Sequence, residues 1–265
     1  MKGVRKILVG ADPELFLSKG GEIISAVGVI PGDKKKPFPT SVGAVQVDNV
    51  LAEFNIVPAS TRQAFISNVT RTMSDLRLLL PAGVDFTIKA SHNYSIDYLI
   101  GQKGAFEFGC VPDYSIYSKG KQTVVVRDHS LRSAGGHLHV GGSFVLRNKG
   151  RIVQSMDYLI ALPGVLLDPD TKRRQLYGCA GSYRPKPYGL EYRTPSNFWI
   201  KSPELMGWAY DQVIRATNEY DSMLDEWQHI LPPNELQRII NESDVAEAAR
   251  YKGIYGELDG LLLQA

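Results

Sequence analysis

The chain has 265 residues, 43% of them hydrophobic, 22% charged and 9% aromatic, and a formal charge of +2 at pH 7. These proportions fit an ordinary globular protein and exclude disordered, collagenous and disulfide-built chains. The 30 Lys and Arg residues are spread along the sequence, so a nucleic-acid partner is not supported.

Cys110 and Cys179 form no CxxC spacing and follow no secretory leader, which points to a reducing cytoplasm. The longest apolar stretch, around 158–167, is interrupted by Pro163 and Gly164 and is too short to span a bilayer, so no membrane partner is expected.

In chain order, strands are expected at 6–9, 14–17, 22–30, 44–47 and 50–57, separated by Gly- and Pro-containing turns. Ser60 and Gln63 then form a capping-box pattern. Phe65, Val69, Met73, Leu76 and Leu80 follow on one helical face until Pro81 stops the run. Residues 84–90 alternate as a strand, and 101–117 read as irregular or short-strand sequence. Strands return at 123–126 and 137–146. A helix with Ile152, Met156, Leu159 and Ile160 follows and ends near Pro163. A Tyr/Gly/Pro-rich loop, 177–189, leads into a short strand at 190–194, and from Pro203 onward the periodicity is helical. The order predicts one α+β domain over 1–265, with a largely antiparallel sheet and 203–265 as a helical C-terminal portion.

Four polar pairs sit at i and i+2 in strand-like sequence: Asp12/Glu14, Glu53/Asn55, His137/His139 and Glu191/Arg193. That spacing puts both members of a pair on one face of a strand. A sheet face bearing carboxylates, imidazoles and an arginine builds no core and suits a metal-and-anion site. Gly135-Gly136-His137-Leu138-His139-Val140-Gly141-Gly142 is the sharpest motif, its glycines read as letting a ligand approach the backbone. A solvent-facing imidazole pair is the plain alternative. Asp12 and Glu14 supply hard oxygens suited to Mg²⁺ or Mn²⁺, or else form a polar turn with Pro13. Glu53 in an apolar strand calls for a cation, whereas Asp48 and Asn49 read as a turn. Glu191 and Arg193 also suit a simple in-strand ion pair. Arg173, Arg174, Arg184, Arg193 and Lys186 are dense enough to bind phosphates or a carboxylate. No P-loop or Rossmann glycine pattern is present, so a bound ATP would rest on metal ions and arginines.

Together, Gly10-Ala11-Asp12-Pro13-Glu14, Leu51-Ala52-Glu53-Phe54-Asn55, the 135–140 histidine motif, Tyr177-Gly178-Cys179-Ala180-Gly181-Ser182-Tyr183-Arg184 and Gly189-Leu190-Glu191-Tyr192-Arg193-Thr194-Pro195 resemble the phage-type COOH–NH2 ligases (type 2). That family belongs to the glutamine synthetase and glutamate–cysteine ligase superfamily of amidoligases, and the resemblance covers roughly 8–200. It implies a curved, mostly antiparallel sheet with helices on its outer face. It also implies ATP with Mg²⁺ or Mn²⁺, and a carboxylate substrate phosphorylated before an amine displaces the phosphate. By motif, Asp12, Glu14, Glu53, His137 and Glu191 would hold metal. Glu53, Arg184 and Arg193 would be catalytic, and His139, Arg173, Arg174 and Lys186 would contact nucleotide. The chain departs from the pattern at Gly189, where the strand's first arginine would stand, and at Asp12, usually glutamate; Arg184 is a candidate for the missing charge. The resemblance implies a phage protein working in the host cytoplasm and leaves room for oligomers. Rival readings are an amide hydrolase or guanidino kinase on the same cleft, a non-catalytic nucleotide- or peptide-binding accessory protein, and a zinc hydrolase built on His137 and His139.

Overall fold

The computed structural model describes residues 6–107, 113–118, 121–122 and 126–264. The strand expected at 123–126 falls almost wholly outside the described residues, as do Cys110 and 108–112 of the irregular stretch.

The strands are β1 Leu8–Lys19, β2 Glu22–Ile24, β3 Phe38–Pro39, β4 Gly43–Asp48, β5 Leu51–Ile56, β6 Val84–Thr87 and β7 Ser91–Asn93. After them come β8 Asp113–Ser115, β9 Lys121–Gln122, β10 Leu131–Ser133, β11 Gly136–Gly141, β12 Ser182–Lys186 and β13 Gly189–Tyr192. Eleven form one antiparallel sheet in the order β3-β4-β5-β1-β11-β13-β12-β8-β9, with β2 and β6 on the far half of β1, while β7 and β10 pair separately. The antiparallel α+β expectation holds.

Two expected strands, 6–9 and 14–17, are one continuous β1 that passes through Pro13. Proline is tolerated because amide directions alternate along a strand. Val9 exchanges bonds with Ala59 on one side, so the Pro13 nitrogen faces that side too, in the gap before the Glu14–Glu53 pair. The missing N–H removes no ladder bond.

Helices cover one face of the sheet: α1 Arg62–Leu79, α2 Ile96–Ile100, α3 Ser143–Met156, α4 Leu162–Leu167, α5 Pro203–Glu219, α6 Leu224–Ile230 and α7 Pro233–Glu242 are the longer ones, α2 lying apart. Val9, Ala11, Leu15, Ala52, Phe54, Leu138, Val140, Leu190 and Tyr192 point from the strands into a core with Phe65, Val69, Leu76, Ile152, Val153, Leu205 and Val213 from the helices. The expected face of α1 is largely this one, although Thr72 rather than Met73 is fully buried. Its N-cap is Thr61 rather than Ser60, and the Thr61 hydroxyl accepts from Ala64 N at 3.2 Å.

Other boundaries differ for local reasons. The strand expected over 137–146 stops at Gly141, since Gly142 (φ +157°) turns the chain into α3, which takes Phe144 to Leu146. The helix expected to end near Pro163 continues to Leu167. A π-helical turn, Asp157–Ala161, joins α3 to α4 and widens the backbone ladder just ahead of Pro163. Residues 182–186 of the expected 177–189 loop are the strand β12, in a hairpin with β13 closed at Lys186↔Gly189. Pro185 survives there because its nitrogen faces the side where pairing with β8 has ended at Tyr183.

The sheet's other face is closed at one end by a smaller apolar cluster of Phe16, Val50, Leu51, Tyr94, Leu99, Ala105 and Ala134. Buried Arg132 ties this wall together, donating to Asn49 Oδ1 at 3.0 Å, Ala105 O at 2.6 Å and His129 O at 2.9 Å. The rest of that face forms the floor of a cleft.

Candidate active site

Register decides what the cleft floor contains. Glu14 lies opposite Glu53, and Glu53 opposite Gln46. Asp12 lies opposite His137, His139 opposite Glu191, and Glu191 opposite Arg184. Directly paired residues share a face and period 2 carries it along each strand, so the i/i+2 pairs merge into one polar row across β4, β5, β1, β11, β13 and β12. Four separate sequence signals become one site.

At its centre Asp12, His139 and Glu191 each offer a ligand atom within 4.8 Å of the others. His139 Nε2 is 2.9 Å from Asp12 Oδ2, and His137 Nδ1 is 3.3 Å from Asp12 Oδ1 and 3.8 Å from Glu191 Oε1. These are close ion-pair approaches. Asp12 Oδ1, His139 Nε2 and Glu191 Oε2 are buried with no hydrogen-bond partner. Three mutually close ligand residues whose buried atoms meet only ion-pair neighbours fit a divalent cation. The mixed oxygen and nitrogen set suits Mn²⁺ as well as Mg²⁺. This cluster takes one imidazole, His139, which the sequence reading placed on nucleotide. The second, His137, is only 5% exposed and also faces Arg193 Nη1 at 3.3 Å. The geometry gives no two-histidine zinc centre among the described residues.

Glu14 and Glu53 form the acidic wing. Gly135 N donates to Glu14 Oε2 at 2.7 Å, and Gln46 Nε2 to Glu53 Oε2 at 2.7 Å. Burial pushes Glu53 well above the usual carboxylate range, with Asp12, Asp48 and Glu14 adding to the rise. Burial likewise raises Glu14, with Asp48 adding. An all-oxygen pair under this mutual repulsion favours a hard cation such as Mg²⁺.

The basic wing surrounds Glu191, which is 1% exposed. Arg193 Nη1 donates to its Oε1, Arg184 Nη1 lies 3.5 Å from that oxygen, and Lys186 Nζ is 2.7 Å from Oε2. Burial and Asp12 push Glu191 up, but Arg193, His137 and Arg184 outweigh them and hold it at about 2. For Asp12, burial is outweighed by His139 and His137, leaving it well below the usual range. His139 moves up, because Asp12 outweighs the effect of burial. The Tyr188 hydroxyl closes on His139 Nδ1 and so orients the ring.

Arg173 and Arg174, expected on bound phosphates, are committed elsewhere. Arg173 is buried and donates to the carbonyls of Ala134 at 3.0 Å, Thr194 at 2.7 Å and Arg193 at 3.2 Å. Arg174 donates to Ser243 Oγ at 2.8 Å and Asp170 O at 3.4 Å. Both guanidinium groups brace loops beneath the site.

The glycines of the histidine motif also serve packing rather than ligand approach. A Cβ on Gly135 would lie 2.2 Å from His137 Nε2, and one on Gly136 would lie 2.1 Å from Ser196 O. That closeness lets Trp199 Nε1 donate to Gly136 O at 2.9 Å and Asn197 Nδ2 to Glu14 O at 2.7 Å, fixing β11 and β1. At Gly189 a Cβ would lie 2.0 Å from Val140 O, so no arginine fits this backbone there. Lys186, directly opposite Gly189, places its ammonium on Glu191 instead.

The sequence reading missed Lys34, Asp48, Gln46 and Tyr188. Lys34 Nζ reaches Asp48 Oδ1 at 2.7 Å, and Glu53 and Glu14 help raise its pKa against the effect of burial. The Lys34-Lys35-Lys36 run looks like a solvated loop until a Gly32–Val47 backbone bond pins it to β4. Asp48 and Gln46 continue the i/i+2 pattern from β5 onto β4, a signal the sequence did carry.

Residues 128–237 match the family model of the phage phiEco32-like COOH.NH2 ligase-type 2. Over that stretch the chain is similar to that ligase family. The matched stretch holds His137, His139, Arg184, Lys186, Glu191 and Arg193; Asp12, Glu14 and Glu53 lie outside it and join the site through register. The family resemblance read from the motifs is thus borne out, and the family's name denotes joining of a carboxyl to an amine. No curated protein matches the chain. Among the described residues no helix is long and apolar enough to cross a membrane.

Proposed function

We propose that this chain is an ATP- and Mg²⁺- or Mn²⁺-dependent carboxylate–amine ligase that works through an acyl phosphate in a host cytoplasm. The observation that carries this reading is the polar row itself, an acidic wing and a basic wing joined at three mutually close ligand residues. Phosphoryl transfer to a carboxylate brings several anions together and needs that pairing of cation holders with cationic side chains.

Asp12, His139 and Glu191, with Glu14 and Glu53 beside them, would hold the divalent ions, which when bound supply neutralising charge for the phosphates. Arg184 and Lys186 reach in from β12 and Arg193 from the end of β13 to bind the anionic groups. Tyr188 and His137 keep the ligands in place. The carboxylate oxygen attacks the γ-phosphorus and ADP leaves; the amine then attacks the acyl carbon and phosphate leaves with one former carboxylate oxygen. No protein nucleophile takes part.

A substrate acid labelled with ¹⁸O in its carboxylate tests the intermediate. One label per amide formed is expected in inorganic phosphate. Label in AMP would indicate an acyl adenylate and overturn the acyl-phosphate step.

A further inference from the structure

The turn that carries Lys34 is built tightly against the edge of the acidic wing. Val47 N donates to Gly32 O at 3.1 Å, and Asp33 forms a parallel bridge with Val47. Gly32 has φ +86°, and a Cβ there would lie 2.5 Å from Val45 O and 2.6 Å from Phe38 N, so only glycine lets the turn sit this close. Asp33 Oδ1 accepts from Lys35 N at 2.8 Å and from Lys36 N at 2.9 Å, which fixes the backbone on either side of Lys34. Val47 packs against the core, and Asp33 is level with it. Side chains alternate along extended backbone, so Lys34 comes level with Asp48 on the cleft face.

There Lys34 Nζ meets Asp48 Oδ1 at 2.7 Å. Asp48 is two residues from Gln46, which lies directly opposite Glu53 and donates to it. Asp48 and Glu53 are therefore diagonal neighbours, with Cα atoms about 7–8 Å apart, a gap that long side chains bridge. Glu14 follows opposite Glu53. Against the effect of burial, Asp48, Glu53 and Glu14 all raise the pKa of Lys34, and Asp48 adds to the burial-driven rise of Glu53 and Glu14. Arg184, Lys186 and Arg193 pair with Glu191 on the far wing. The Lys34 side chain is 63% exposed, so it can swing off Asp48 while its turn stays in place.

We propose that Lys34 is a tethered counter-ion of the acidic wing, which stands in for a divalent cation in the metal-free chain and is displaced when one enters beside Glu14 and Glu53. An ammonium and a divalent cation on one group of carboxylates repel each other, so the two occupants compete. A compact ammonium on a flexible stem suits this exchange, because it neutralises the carboxylates without being buried among them. The inference rests on the cation-holding role proposed for Glu14 and Glu53, and it requires no ligation.

The test is a Mn²⁺ titration of the full chain without ATP, read by calorimetry and by the EPR signal of free Mn²⁺. Losing one positive charge beside the acidic wing is expected to tighten Mn²⁺ binding roughly tenfold in Lys34→Met, while Lys34→Arg stays near wild type. Adding Glu53→Gln to Lys34→Met should abolish the gain. Unchanged Mn²⁺ affinity in Lys34→Met, with affinity still lost in Glu53→Gln alone, overturns the proposal and leaves the ligase reading standing. A gain that survives in the double variant also overturns it, because the effect then lies outside the acidic wing. Absence of Mn²⁺ binding in every chain overturns both readings.

Discussion

Glu53→Gln is expected to raise the unfolding temperature of the metal-free protein by a few degrees while lowering ligation about a thousandfold. The two effects share one cause. Glu53 is buried opposite Glu14, and burial together with Asp12, Asp48 and Glu14 disfavours its charged form. A neutral amide of the same shape keeps an oxygen for Gln46 Nε2, now 2.7 Å from Glu53 Oε2, and ends the repulsion. At neutral pH the metal-free fold gains stability by that relief. The same change removes an anionic ligand where divalent cations would sit, and loss of such electrostatic stabilisation typically costs two to three orders of magnitude or more in rate. Thermal scans with and without Mn²⁺ give the second readout. The wild-type protein should be stabilised by the ion, and Glu53→Gln should not. An equal Mn²⁺ shift in both would place the ion away from Glu53.

Glu191→Gln should act in the opposite sense on the fold, with a loss of about 3–5 kcal/mol and a fall of roughly 10 °C in unfolding temperature. Its carboxylate is 1% exposed and is the shared counter-ion of Arg184, Lys186 and Arg193. Removing it leaves several cations partly buried without their partner. Because Glu191 is held at about 2 in the fold and titrates at 4.5 when unperturbed, its contribution is complete above about pH 4.5 and is lost as pH falls toward 2. The gap between wild type and variant, measured by chemical denaturation, should therefore be constant from pH 8 to pH 5 and narrow on further acidification. A variant as stable as wild type at pH 7 would mean the three cations are adequately solvated without Glu191.

The sequence carried the face of the site but not its neighbours. The i/i+2 pairs needed only the period of a strand, and that period holds at Asp12/Glu14, His137/His139 and Glu191/Arg193. Which strand lies beside which is set by long-range pairing, so the Asp12–His137 and His139–Glu191 contacts were not legible. Arginine density misled at Arg173 and Arg174, because composition cannot tell a guanidinium that meets phosphate from one that satisfies backbone carbonyls. Glycine misled in a similar way, since Gly135 and Gly136 make room for the His137 ring and for Ser196 O. Segment edges slipped where tertiary pairing tolerated a proline, at Pro13 in β1 and Pro185 in β12. The helical end was easier, because the buried positions Leu236, Ile239 and Ile240 of α7 follow from local periodicity alone.

In the proposed function the cleft joins an acid to an amine at the expense of ATP. The most direct test is ADP release by the purified chain with ATP and Mg²⁺, across pools of amino acids, di-acids and polyamines, with Glu53→Gln in parallel. ADP and phosphate are expected in equal amounts, only when an acid and an amine are both present and not in the variant. ADP release that ignores acid and amine, or that persists unchanged in Glu53→Gln, would contradict it.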